Sequence, residues 1–236
     1  MRDPAQTWVR VSFFGVALEV AHSWFPVQLA MVLALTWSAR LVMPELSLPA
    51  AALAGVAVTA GLTVSLLLHE LAHARVAQRA GADVAHIRLF AGGALTRRLT
   101  RLEQPRDQFL VAAAGPIASV AVAVLCLAGA TAVELLGGSS ALSLGLAFLA
   151  FANVLIAISN LLPMFPFDGG KLVHALFWRS TDDRAVATGR LQRSGQEFAR
   201  IVTSLGIVTM AFAGDLLMGL VIAGFGIYLM FLPPPA

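Results

Sequence analysis

Two histidines four residues apart bracket a glutamate in the run His69-Glu70-Leu71-Ala72-His73, part of SLLLHELAHARVAQR. On a helix, residues at i and i+4 share a face, so both imidazoles can meet one Zn2+ ion. Glu70 sits one residue from His69, close enough to contact a water on that metal and act as general base without ligating it. Five residues with three fixed positions can arise by chance in a soluble chain. Here they interrupt an apolar helix, where an ionisable group costs about 2.5–3.5 kcal/mol even on insertion scales. A metal centre is the reading this cost favours, with a satisfied polar cluster as the alternative.

Two histidines leave a zinc site one protein ligand short when one position is kept open for water. The best third donor is Asp168, in NLLPMFPFDGG, where prolines and glycines break the helix and can turn a carboxylate toward a bundle interior. An ordinary turn aspartate before glycines is the competing reading. His22, His86 and His174 each fall at an expected membrane interface and read as solvated or packed. Cys126, the single cysteine, lies in an apolar run, which excludes an internal disulfide and a thiol metal cluster and leaves it a packing role.

The elements that must position these groups are membrane helices. Of the 236 residues 58% are hydrophobic and only 12% charged, too few charges for a soluble domain of this length. The expected fold is an all-α polytopic membrane protein, one domain over 1–236, with about six transmembrane helices near 24–43, 50–80, 108–136, 141–162, 201–213 and 216–232. Residues 1–23 read as a surface segment with a hairpin around Gly15, not as a secretory signal. Gly81 is the expected C-cap of the second span, and residues 86–101, around Gly92-Gly93, read as a hairpin or edge strand on the cytoplasmic side. Residues 163–170 are expected to break the helix, and 179–200 to form a polar segment before the last two spans.

Charge tests the orientation. With the N-terminus inside, 15 of the 16 Lys and Arg residues fall on the cytoplasmic side and only Arg40 near an outer loop. Both termini are then cytoplasmic, and His69 falls in the inner half of the bilayer, where water arrives from the cytoplasm. The same asymmetry accounts for the formal charge of +3 and a pI near 10.0 without nucleic acid.

With both motifs in view, the chain resembles the site-2 protease family of intramembrane zinc metalloproteases, in its microbial six-span branch. The resemblance runs through GVALEVAHSW, HELAHARVAQRAG, LFAGGALTR, AAAGPIASV and NLLPMFPFDGGKLVHAL. It implies one Zn2+ per chain on His69, His73 and Asp168, water activation by Glu70, and Asn160 near the substrate carbonyl. It also implies a lipid-embedded enzyme of the prokaryotic inner membrane that cleaves membrane-spanning proteins, with membrane-tethered regulators as clients and the hairpin as an edge for an extended client segment. Ser119, where relatives commonly carry Asn, and Lys171 and His174, where Arg is frequent, are departures expected not to touch the ligands. Neither a PDZ insertion nor paired CBS domains are visible. Two rival readings use the same residues: a catalytically silent membrane zinc-binding scaffold, against which Glu70 argues, and a metal or ion transporter, for which there is no inverted repeat.

Overall fold

The computed structural model describes residues 7–13, 16–98, 100–212 and 215–232. In chain order the elements are β1 (Thr7–Phe13), β2 (Val16–Ala21), α1 (Trp24–Val42), α2 (Leu48–Arg79), β3 (Val84–Phe90), β4 (Gly93–Arg98), α3 (Pro105–Leu135), α4 (Ser140–Asn160), α5 (Asp168–Thr181), α6 (Arg184–Phe212) and α7 (Leu216–Met230). The chain is mainly helical with one small sheet, as expected. It divides into two compact units, Met1–Leu102 with Ala114–Ile158, and Glu103–Ala113 with Ser159–Ala236.

In the first unit the four strands form one sheet in the order β1-β2-β3-β4. β1 pairs antiparallel with β2 and β3 with β4, so both expected hairpins are present. Gly15, the expected turn of the first, lies outside the described residues. The parallel pairing of β2 with β3, from Ala17↔His86 to Val20↔Leu89, joins the hairpins across α1 and α2 and was not expected. Val16 and Ile87 of this sheet bury against Ala74 of α2, with Leu18, Leu67, Leu71 and Val84 around them. The sheet therefore seats on the stretch of α2 that carries the histidines.

Small residues set the helix contacts, as they must where lipid supplies no hydrophobic drive for association. A Cβ on Gly55 would collide with Thr36 of α1, and one on Gly61 with Leu149 of α4. Polar links add register: Thr63 Oγ1 to Gln28 Oε1 at 3.1 Å, and Asn153 Nδ2 to Ser65 Oγ at 2.9 Å. α2 starts on Ser47, whose hydroxyl accepts from Ala50 N, and stops at Gly81, whose φ of 80° only glycine adopts without strain.

The second unit corrects two expectations. Helix ends at Asn160, but Asp168, Gly169 and Gly170 are the first turn of α5, not part of the break. The glycines are needed for approach: a Cβ on Gly169 would overlap the Leu161 carbonyl, and one on Gly170 that of Met164. The segment 161–167 thus folds back on the start of α5. Residues 184–200, expected as a polar segment, are helical and continuous with the following apolar stretch, because Ala187, Leu191, Gly195 and Ala199 form a buried stripe at spacing four. Asp183 caps this helix, its Oδ1 accepting from Ala185 N at 2.7 Å and Val186 N at 3.0 Å. Met164, Ala199 and Leu229 anchor the unit's core.

Among the described residues, α1, α2, α3 and α4 are long and apolar enough to cross a membrane. The other two expected spans fall in the second half of α6 and in α7, whose 15 residues rise only about 22 Å against a hydrocarbon core of about 30 Å.

α6 and α7 meet through glycines, and a Cβ on Gly206 would overlap Ala223 N. Gly206→Ala should therefore force the hairpin apart at a cost of about 1–3 kcal/mol, lowering the thermal midpoint in detergent, whereas Gly189→Ala, which meets nothing within 4 Å, should not. Equal midpoints would contradict this packing.

A second test uses His174 of α5. Its Nδ1 lies 2.8 Å from Gln108 Nε2 and its Nε2 3.0 Å from Thr188 Oγ1, an arrangement suited to a neutral ring. Burial, and then the Arg184 guanidinium, hold this imidazole below its ordinary value of 6.5, against a weaker opposing hydrogen bond to the Arg184 backbone. The unfolded chain then takes the proton first, so the contribution is full above about pH 6.5 and is lost as pH falls through the folded value. Melting of the native chain relative to His174→Gln should lose its advantage on acidification from pH 7.5 to 5. A constant difference would contradict it.

Candidate metal centre

His69 and His73 project from one face of α2 and are 3% and 7% exposed. Their Nε2 atoms lie 3.2 Å apart, with the rings edge to face at 80°. Two nitrogens at tetrahedral zinc, each about 2.05 Å from the ion, would sit roughly 3.3 Å apart. On α3, Gly115 faces the pair, and a Cβ there would overlap both Nε2 atoms. A side chain at 115 would thus obstruct the two nitrogens that a shared cation needs, and these residues fit zinc by donor type, spacing and clearance.

One turn beyond Gly115, buried Ser119 places its Oγ 2.9 Å from His69 Nδ1. The expectation that Ser119 would not touch an expected ligand is therefore overturned. Sequence reasoning missed both α3 residues as parts of the site, although their spacing of four, one helical turn, is visible in AAAGPIASV.

Glu70, half-buried on the same turn as His69, accepts a hydrogen bond from the Thr96 backbone N–H at 2.8 Å through Oε2, while Thr96 Oγ1 donates to the Glu70 carbonyl at 3.1 Å. Phe90 opposite Gly93 closes a two-residue turn, and strict alternation along the ladder then gives Thr96, opposite Ile87, an outward-facing N–H. β4 is an outer strand of the sheet, so the carboxylate occupies an edge donor of this strand. Nothing in the local sequence marked Thr96.

Asp168 and Asn160 belong to the second unit. Asp168 opens α5, 3% exposed, where the helix N-terminus favours a negative charge. Its Oδ1 pairs with Lys171 Nζ at 2.8 Å, so Lys171 also touches an expected ligand, contrary to expectation. A carboxylate has about four lone-pair sites, and this pair is compatible with metal ligation. Gln108 Nε2 holds the Lys171 carbonyl at 2.9 Å, steadying this turn. Asn160 is the half-buried last residue of α4. The remaining histidines are packed or solvated, as expected: His22 is exposed, His86 is buried 3.5 Å from Glu19 Oε2, and His174 is buried as described above.

Residues 57–136 and 139–212 match the pattern of peptidase family M50. The chain is 38% identical over 167 residues to a Mycobacterium tuberculosis protein named as a zinc metalloprotease, Rip3, covering 70% of this chain and 42% of that one. A Synechocystis protein named as a zinc metalloprotease, sll0528, is 30% identical over 197 residues, covering 83% of this chain and 50% of its own. The chain thus spans half or less of the length of these curated relatives. The solved structure of the site-2 protease from Methanocaldococcus jannaschii has a similar fold, with a TM-score of 0.56 at 19% identity over 97% of each chain. The match over most of its length shows that this chain belongs to peptidase family M50, the site-2 protease family.

Proposed function

We propose that the chain is an intramembrane zinc metalloprotease that hydrolyses peptide bonds of membrane-spanning proteins, with one zinc held by His69, His73 and Asp168. The observation that carries this reading is the pair of buried imidazole nitrogens 3.2 Å apart beside a glutamate that is not itself needed to hold a cation. Zinc, when bound, supplies a Lewis acid that polarises the scissile carbonyl and acidifies water.

Glu70 takes a proton from the attacking water and returns it to the leaving amine. Its carboxylate is held at the β4 edge by Thr96 N–H, which keeps the base oriented. Asn160 donates to the developing oxyanion from the end of α4. A client peptide bond inside a helix has its carbonyl occupied, so cleavage needs local unwinding, and pairing with the β4 edge beyond Thr96 replaces lost backbone hydrogen bonds. Membrane-tethered regulators, as single-span proteins, are the client class. The apolar parts of α6 and α7 complete six crossings, with both termini on the cytoplasmic side of a prokaryotic inner membrane.

The retained Glu70 favours this reading over a silent zinc scaffold, for which a general base has no use. In reconstituted membranes, cleavage of single-span reporter proteins should vanish with chelator and fall by at least about 100-fold, the lower end of the range for general-base loss, in Glu70→Gln, which should still bind one zinc. Cleavage that survives Glu70→Gln would overturn the mechanism, and zinc binding with no cleavage of any reporter would favour the scaffold.

A further inference from the structure

We propose that Ser119 is a positioning residue that fixes the ring and tautomer of His69 for metal binding; this rests on the reading that His69 is a zinc ligand and adds a fourth residue to the site's construction. A neutral imidazole that offers the Nε2 lone pair to a cation must carry its hydrogen on Nδ1. In the dry interior of a membrane protein that N–H requires an acceptor. Ser119 Oγ stands 2.9 Å from Nδ1 and the serine is 1% exposed, so the acceptor is built into the packing and not borrowed from solvent.

The position of Ser119 follows from Gly115. The missing Cβ at Gly115 lets α3 approach the histidine pair, and the next residue on the same face of α3, one turn on, is Ser119. A longer side chain at 115 would push the hydroxyl out of reach, and an apolar one at 119 would leave Nδ1–H without this acceptor. The two residues act as one device, the first clearing the space before the Nε2 atoms and the second orienting one of them.

The test is zinc affinity of the full chain in detergent, measured by competition with a chromogenic chelator, together with the ligand-field spectrum of the cobalt-substituted protein. Loss of such a supporting hydrogen bond typically costs 10- to 100-fold in metal affinity. Ser119→Ala should weaken zinc by about that factor and alter the cobalt spectrum. Ser119→Thr and Ser119→Val, nearly identical in shape, separate packing from hydrogen bonding: threonine should bind zinc within a few-fold of the native chain, and valine should bind as weakly as alanine. The melting temperature of each metal-free variant shows whether the fold itself has changed. Native-like affinity in Ser119→Ala, or equal affinities for the threonine and valine variants, would overturn the proposal. A native chain that binds no zinc would instead overturn the metal reading beneath it.

Discussion

Placing two imidazoles on one face of a 32-residue apolar helix sets the terms for what surrounds them. Ionisable groups at membrane depth are expensive, and two Nε2 atoms 3.2 Å apart are placed to share a proton or a cation. Their neighbours fit the cation. Gly115 carries no side chain where one would overlap both nitrogens, and Ser119 Oγ lies 2.9 Å from Nδ1 behind one of the rings.

The same economy governs the rest of the fold. α2 is held on its sheet side through Ala74, which has no exposed surface and admits Val16 and Ile87 closely. That seating also brings the β4 edge to Glu70, so the carboxylate is oriented by a backbone donor. In the second unit the Gly169-Gly170 pair does for Asp168 what Gly115 does for the histidines: it lets backbone lie where a side chain would collide, and so fixes the first turn of α5.

Much of this was legible in the sequence. The i, i+4 histidines, the hairpin around Gly92-Gly93, the cap at Gly81 and the four long apolar helices are local signals, each decided within one or two turns of chain. What escaped was non-local or ambiguous. The parallel pairing of β2 with β3 joins residues some seventy positions apart, and no local periodicity encodes it. Gly169 and Gly170 were read through their low helix propensity, yet close packing outweighed it. The buried stripe from Ala187 to Ala199 was present in the residues but hidden by the surrounding arginines and glutamines. Ser119 and Lys171 stood out only as departures from a family pattern, and their contacts with His69 and Asp168 required coordinates.

The central claim is that two histidines from α2 hold zinc with oxygen donors completing the shell. X-ray absorption spectroscopy of the zinc-loaded, full-length chain tests it most directly. The account predicts two imidazole nitrogens at roughly 2.0–2.1 Å with oxygen scatterers at about 2.0–2.2 Å, and loss of the imidazole signal in His69→Ala/His73→Ala. A shell with no imidazole, or one with three or more, would contradict it.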